Sequence, residues 1–176
     1  TGHQGGEYFS ANRAMEIKSA DNIIIGGSTI NERNIIANCG DNLSFENCTE
    51  AVIMGNIIGT GINGNEPGYV ITSYTTLPSN QKGISMDDDC SGFQIKNNLI
   101  TGNYYNQIYA YSGTQITISG NKIGTDLTGM AAMSLPDVPP YFYNSPDNGI
   151  EFWEGVSNST VGPDNIISGM AGGAGI

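Results

Sequence analysis

Two carboxylates and three aromatic side chains are the residues of this chain best suited to chemistry. Asp87 and Glu151 lie in strand-like apolar segments, Ile84-Ser85-Met86-Asp87 and Ile150-Glu151-Phe152. If such segments stack on one another, the pair could act as acid and base in glycoside hydrolysis, which needs carboxyl groups about 5–9.5 Å apart. Tyr109, Tyr111 and Trp153 fall at matching places. Exposed rings beside carboxylates suit a sugar: the rings cover its apolar face and the carboxylates accept its hydroxyl protons. Packing against a loop or another chain would use the same rings. The run Asp87-Asp88-Asp89 offers oxygen ligands for Ca²⁺, and a solvated acidic turn would look the same. The single His, His3, precedes every repeated segment. No catalytic role is therefore assigned: Asp87 and Glu151 stay candidates, Asp87, Asp88 and Asp89 are the calcium candidates, and no other cofactor is expected.

These residues need a scaffold, and a repeat supplies it. Asn followed by two apolar or tolerant residues recurs as Asn34-Ile35-Ile36, Asn56-Ile57-Ile58, Asn98-Leu99-Ile100, Asn121-Lys122-Ile123 and Asn165-Ile166-Ile167. The position after Asn tolerates Lys122, which points it to solvent. The next position is always Ile, which points it to a core, so the segment alternates with period 2. Gly55, Asn97 and Gly120 precede three of these Asn residues, and both types tolerate the left-handed backbone of a tight bend. The Asn side chains are expected to stack, each amide bonding the next.

A second motif precedes each bend: Leu43-Ser44-Phe45, Ile84-Ser85-Met86, Ile108-Tyr109-Ala110 and Ile150-Glu151-Phe152. Alternation then sets two outward columns, Ser44, Ser85, Tyr109, Glu151 and Glu46, Asp87, Tyr111, Trp153. Each turn of the solenoid would hold about three short strands. The successive Asn residues are 22, 42, 23 and 44 positions apart. Every second turn thus carries an insertion, near residues 59–82 and 124–148, and both begin alike, Ile58-Gly59-Thr60 and Ile123-Gly124-Thr125. They should leave from one side. Their prolines favour loops over further turns, and they carry Tyr69, Tyr74 and Tyr141-Phe142-Tyr143. Cys48 and Cys90 occupy nearly equivalent places on successive turns. The spacing of turns suits a disulfide, so a Cys48–Cys90 bridge or a pair of stacked thiols is expected, with Cys39 free or paired between chains.

Composition agrees. The sequence holds 23 Ile and 20 Asn but 5 Leu, which is the balance of many short strands and turns. The net charge of -11 argues against nucleic acid and anionic membrane surfaces as partners, and no apolar run approaches the roughly 20 residues of a membrane span.

The stretches Ile118-Ser119-Gly120-Asn121-Lys122-Ile123-Gly124-Thr125-Asp126-Leu127-Thr128-Gly129, Arg33-Asn34-Ile35-Ile36 and Asn22-Ile23-Ile24-Ile25-Gly26-Gly27 resemble the right-handed parallel β-helix, or pectate-lyase-like, superfamily. Within it they look most like Asn/Gly-rich repeats of bacterial surface and secreted proteins. The resemblance implies an all-β solenoid of about five to seven turns with two long insertions, one domain over residues 1–176, part of a longer solenoid or assembly. It also implies an extracellular or cell-surface location. The superfamily includes lyases, hydrolases, adhesins and tailspikes, so fold leaves activity open. The sequence is read as a non-catalytic structural or adhesive module, a fibre or filament subunit that associates with itself or with other surface proteins. The alternative is a domain that binds or degrades polysaccharide, with Tyr109, Tyr111 and Trp153 as the sugar-binding residues.

Overall fold

Strands of two to six residues, broken by turn formers, cannot bury both faces alone; stacked in a coil they bury one face together. The computed structural model describes residues 13–66, 81–133, 148–170 and 173–176. They wind into five coils. The first holds β1 (Arg13–Lys18), β2 (Ile24–Gly26) and β3 (Ile35–Ile36). The second holds β4 (Asp41–Glu46), β5 (Val52–Met54) and β6 (Ile57–Ile58). The third holds β7 (Lys82–Asp87), β8 (Cys90–Ser91), β9 (Gln94–Lys96) and β10 (Leu99–Ile100). The fourth holds β11 (Asn106–Ala110), β12 (Gly113–Thr114), β13 (Thr117–Ser119) and β14 (Lys122–Ile123). The fifth holds β15 (Asn148–Phe152), β16 (Val156–Ser157), β17 (Thr160–Val161) and β18 (Ile166–Ile167).

Like strands pair in parallel from coil to coil. Three sheets run through all five coils, in the orders β1-β4-β7-β11-β15, β2-β5-β9-β13-β17 and β3-β6-β10-β14-β18. This is the expected parallel β-helix. The three strands per turn read from the sequence become four in the last three coils, because β8, β12 and β16 form a further short sheet. Bridges from Asp21 to Thr49 and from Thr49 to Ser91 continue that sheet backwards.

The interior is a stack of apolar side chains. Leu43, Ile84 and Ile108 share one register, with Ile150 above them, and all are sealed from solvent. Phe45 meets Phe93 edge to face, ring centroids 5.1 Å apart. Burying each such side chain contributes roughly 1.5–3 kcal/mol.

The Asn corner forms as the repeat predicts, and its bonding is complete in the middle coils. The Nδ2 of Asn34, Asn56, Asn98 and Asn121 each donates to the Oδ1 of the next Asn, at 3.0, 3.2, 3.0 and 3.2 Å. Each Oδ1 also accepts the backbone N–H of the Asn below, at 2.9–3.1 Å. The second Nδ2 hydrogen of Asn56, Asn98, Asn121 and Asn165 goes to a backbone carbonyl, Ile25, Ile53, Ile95 and Ile118 in turn, at 2.8–2.9 Å. A fully bonded amide avoids the cost of burying polar atoms. The residue before the Asn is left-handed, as expected: φ is 71° at Gly55, 56° at Asn97 and 65° at Gly120.

One expectation needs correction. The position after the ladder Asn is expected at the surface, yet Ile57 and Leu99 are buried, while Ile35 and Ile166 are exposed. The cause lies at the feet of the insertions. The chain folds back there, so that Gly64 reaches the side chains of Leu99 and Leu127. Both insertions leave from the corner after the ladder strand, after β6 and after β14. Their first turns match: Gly64 N–H donates to Gly61 O at 2.9 Å, and Gly129 N–H to Asp126 O at 3.1 Å. Tyr69, Tyr74, Tyr141, Phe142, Tyr143 and His3, and with them the choice between loop and extra turn, lie outside the described residues.

Candidate functional site

The sheet β1-β4-β7-β11-β15 sets the candidate residues in columns. Glu16, Ser44, Ser85, Tyr109 and Glu151 share one register position. Lys18, Glu46 and Asp87 share the position two residues on. Tyr111 and Trp153 extend that column, since Tyr111 N–H donates to Met86 O and Trp153 N–H to Ala110 O, both at 2.9 Å. The columns are those read from alternation. They are not exposed throughout: Ser44 and Ser85 are buried, so the open part of the strip is on the fourth and fifth coils.

There the three rings meet. Trp153 is 50% exposed and Tyr111 44%. Their centroids are 6.0 Å apart with 31° between planes, and Tyr109 lies 6.5 Å from Trp153. Neighbouring rungs at about 4.8 Å set this spacing. The result is a shallow, tilted aromatic platform along the helix axis.

Glu151 anchors that platform. Its Oε1 accepts the indole Nε1–H of Trp153, and its Oε2 accepts Asn106 Nδ2 at 2.8 Å and Asn148 Nδ2 at 2.9 Å. The indole edge is held while half of the residue's surface stays exposed. Lys82 Nζ stands 4.6 Å from the centre of the Tyr109 ring, a cation–π contact. Burial, and then the fields of Asp87 and Glu151, push the Tyr109 hydroxyl above its ordinary range. Sequence reasoning missed Lys82, Asn106 and Asn148. A signal for them existed: each stands two residues before the core Ile of its strand, at Ile84, Ile108 and Ile150.

Asp87 and Glu151 lie on the third and fifth coils, on either side of the rung of Tyr109 and Tyr111. They sit in different columns, two rungs and two residues apart, which is about 12 Å between backbones at strand and rung spacing. Trp153 and Tyr109 share the columns with them, and both Glu151 oxygens already accept hydrogen bonds. Asp87 is the freer carboxylate, accepting Ser85 Oγ at 3.0 Å.

Of the calcium candidates Asp87, Asp88 and Asp89, the first continues the outward column of Glu46. Asp88 and Asp89 take left-handed backbone, φ 48° and 45°, and are exposed. Among the described residues no three His, Cys, Asp or Glu side chains converge on a metal position.

The cysteines align as expected, because the bridge from Thr49 to Ser91 puts Cys48 opposite Cys90. Both are buried free thiols, so the stacked pair is present in place of the disulfide. Cys48 Sγ donates to the carbonyls of Glu46 and Ile17, at 3.3 and 3.4 Å, and Cys90 Sγ to Asp87 O at 3.4 Å. These thiols are satisfied by backbone oxygens instead of by each other.

A search of curated proteins and a search of solved structures found no match. A family model, described as "Periplasmic copper-binding protein (NosD)", matches residues 4–176. With the parallel coils above, that match across nearly the whole chain settles the family: the protein belongs to the NosD family, right-handed parallel β-helix proteins of the periplasm, and is a β-helix module that works outside the cytoplasm.

Proposed function

We propose that this chain is a non-catalytic, adhesive β-helix module that binds polysaccharide on the strip formed by Tyr109, Tyr111 and Trp153. The observation that carries this reading is the half-exposed Trp153–Tyr111 pair, rings 6.0 Å apart, with the indole edge tied to Glu151. A ring held at its edge loses little freedom on binding, so contact with a sugar face keeps most of its gain. The separation of Asp87 from Glu151 argues for binding without hydrolysis. The solenoid keeps the rings in line, which suits an extended chain of sugars over a single one.

The family description also names copper, and among the described residues no three His, Cys, Asp or Glu side chains converge on a metal position. Copper(I) is held by thiolates and thioethers, and copper(II) by imidazole and other nitrogen and oxygen donors. Cys48 and Cys90 are sealed in the interior, and burial pushes the Cys90 thiol up to about 11, far from the thiolate a metal needs.

Electrophoresis of the native protein through gels holding a neutral β-linked polysaccharide tests the proposal. The protein should be retarded, and Trp153→Ala should migrate as in a plain gel. Equal mobility of the unmodified protein in every polysaccharide gel would sink it.

A further inference from the structure

Resting on that reading, we infer a charge class for the ligand: the strip selects polysaccharides bearing amino sugars in their ammonium form, and it rejects polyuronates. The rings are framed by acids. Asp87 occupies the column of Tyr111 and Trp153, Glu151 holds the indole edge, and Glu154, next along the chain from Trp153, is exposed. Asp88 and Asp89 continue the acidic edge in the turn after Asp87.

The bases of the same sheet do not offset this. Lys18 bonds Glu46 at 2.6 Å and Glu16 at 3.2 Å, and Arg13 bonds Glu16. These three contacts lie on the first two coils, away from the open rings. Lys82 is turned onto the Tyr109 ring, in register with Asp41. A uronate stacked on Trp153 would therefore bring its carboxylate beside Asp87 or Glu154, with Lys82 the one cation of the strip and seated on the Tyr109 ring. An ammonium group on the same sugar skeleton would meet a carboxylate acceptor. The chain's net charge of -11 adds long-range attraction of the same sign.

Trp153 is the chain's one tryptophan, so its fluorescence reports on this site alone. The full chain is titrated at low salt and mildly acid pH with 1,4-linked oligomers of equal length: glucosamine, glucose and galacturonate. The glucosamine oligomer should bind about two- to fivefold more tightly than the glucose oligomer for each carboxylate it meets. The galacturonate oligomer should bind most weakly, and added salt should compress the order. Asp87→Asn keeps an acceptor for Ser85 and should weaken the glucosamine oligomer alone. Circular dichroism matching the unmodified protein shows that the variant is folded. If galacturonate binds as well as glucose does, or if Asp87→Asn leaves the ranking intact, the charge inference is overturned while sugar binding stands. If no oligomer changes the fluorescence, or its binding by calorimetry, the binding reading itself fails.

Discussion

The Asn corner and the aromatic strip are both columns of side chains repeated rung on rung, yet they were built to opposite ends. In the corner, Asn98 uses both amide hydrogens and accepts two hydrogen bonds, at 2.9–3.2 Å, and is buried. Nothing is left over for a ligand. In the strip, the polar edge of Trp153 is occupied and half of the residue's surface stays exposed. A column with every partner supplied from within the coil holds the fold; a column with one open face can hold something else. Repetition alone does not say which kind a column is.

Substitutions in each region test this division. The largest effect is expected at the corner. Asn98→Ala strands the buried backbone N–H of Asn56 and takes one hydrogen bond each from Asn56 Nδ2, Ile53 O and Asn121 Oδ1, and should lower the unfolding free energy by about 3–5 kcal/mol in denaturant titration. Gly55→Ala comes next. Its φ is 71°, and an added Cβ would stand 2.2 Å from Gly27 O, so a loss of about 2–4 kcal/mol is expected. The same change at Gly120 meets only the tip of the Asn97 side chain and should cost less, which separates backbone clash from left-handed strain.

In the strip the pattern should reverse. Tyr111→Ala should change stability by less than about 1 kcal/mol and weaken sugar binding about fivefold or more. A large stability loss there would mean the ring serves packing. The smallest effect belongs to the foot of the second insertion. Hydrogen bonds from Thr128 and from the backbone of Gly129, Met130 and Ala131 hold the Asp126 carboxyl below its ordinary 3.8. A lowered carboxylate stabilises the fold above its unfolded value, and that help is lost as pH falls through the folded value. The stability difference between the unmodified protein and Asp126→Ala should therefore be present at neutral pH and vanish in acid. A difference that persists in acid would assign the effect to the loss of the side chain itself.

The fold was legible because each of its parts is local. An Ile two residues after each ladder Asn, a left-handed former before it and a spacing of 22 or 23 residues per plain turn can be read from one strand at a time. The columns followed from alternation. The site was only half legible. Tyr109, Tyr111 and Trp153 were placed correctly, but their open state depends on what covers each rung, and so did the error at Ile57 and Leu99. The choice between a bridge and stacked thiols at Cys48 and Cys90 was likewise not legible. Register brought Cys48 and Cys90 opposite each other, but backbone carbonyls had already taken their sulfurs.

By itself, then, the sequence determined the coil, its period, its inward Ile stack, its Asn ladder and the side from which both insertions leave, because short-range alternation and turn chemistry set all of these. Only the tertiary structure decided that Glu151 serves Trp153, Asn106 and Asn148, and that the rings open on the fourth and fifth coils. Those outcomes depend on side chains from different coils competing for the same neighbours, and such competition exists only once the coils are stacked.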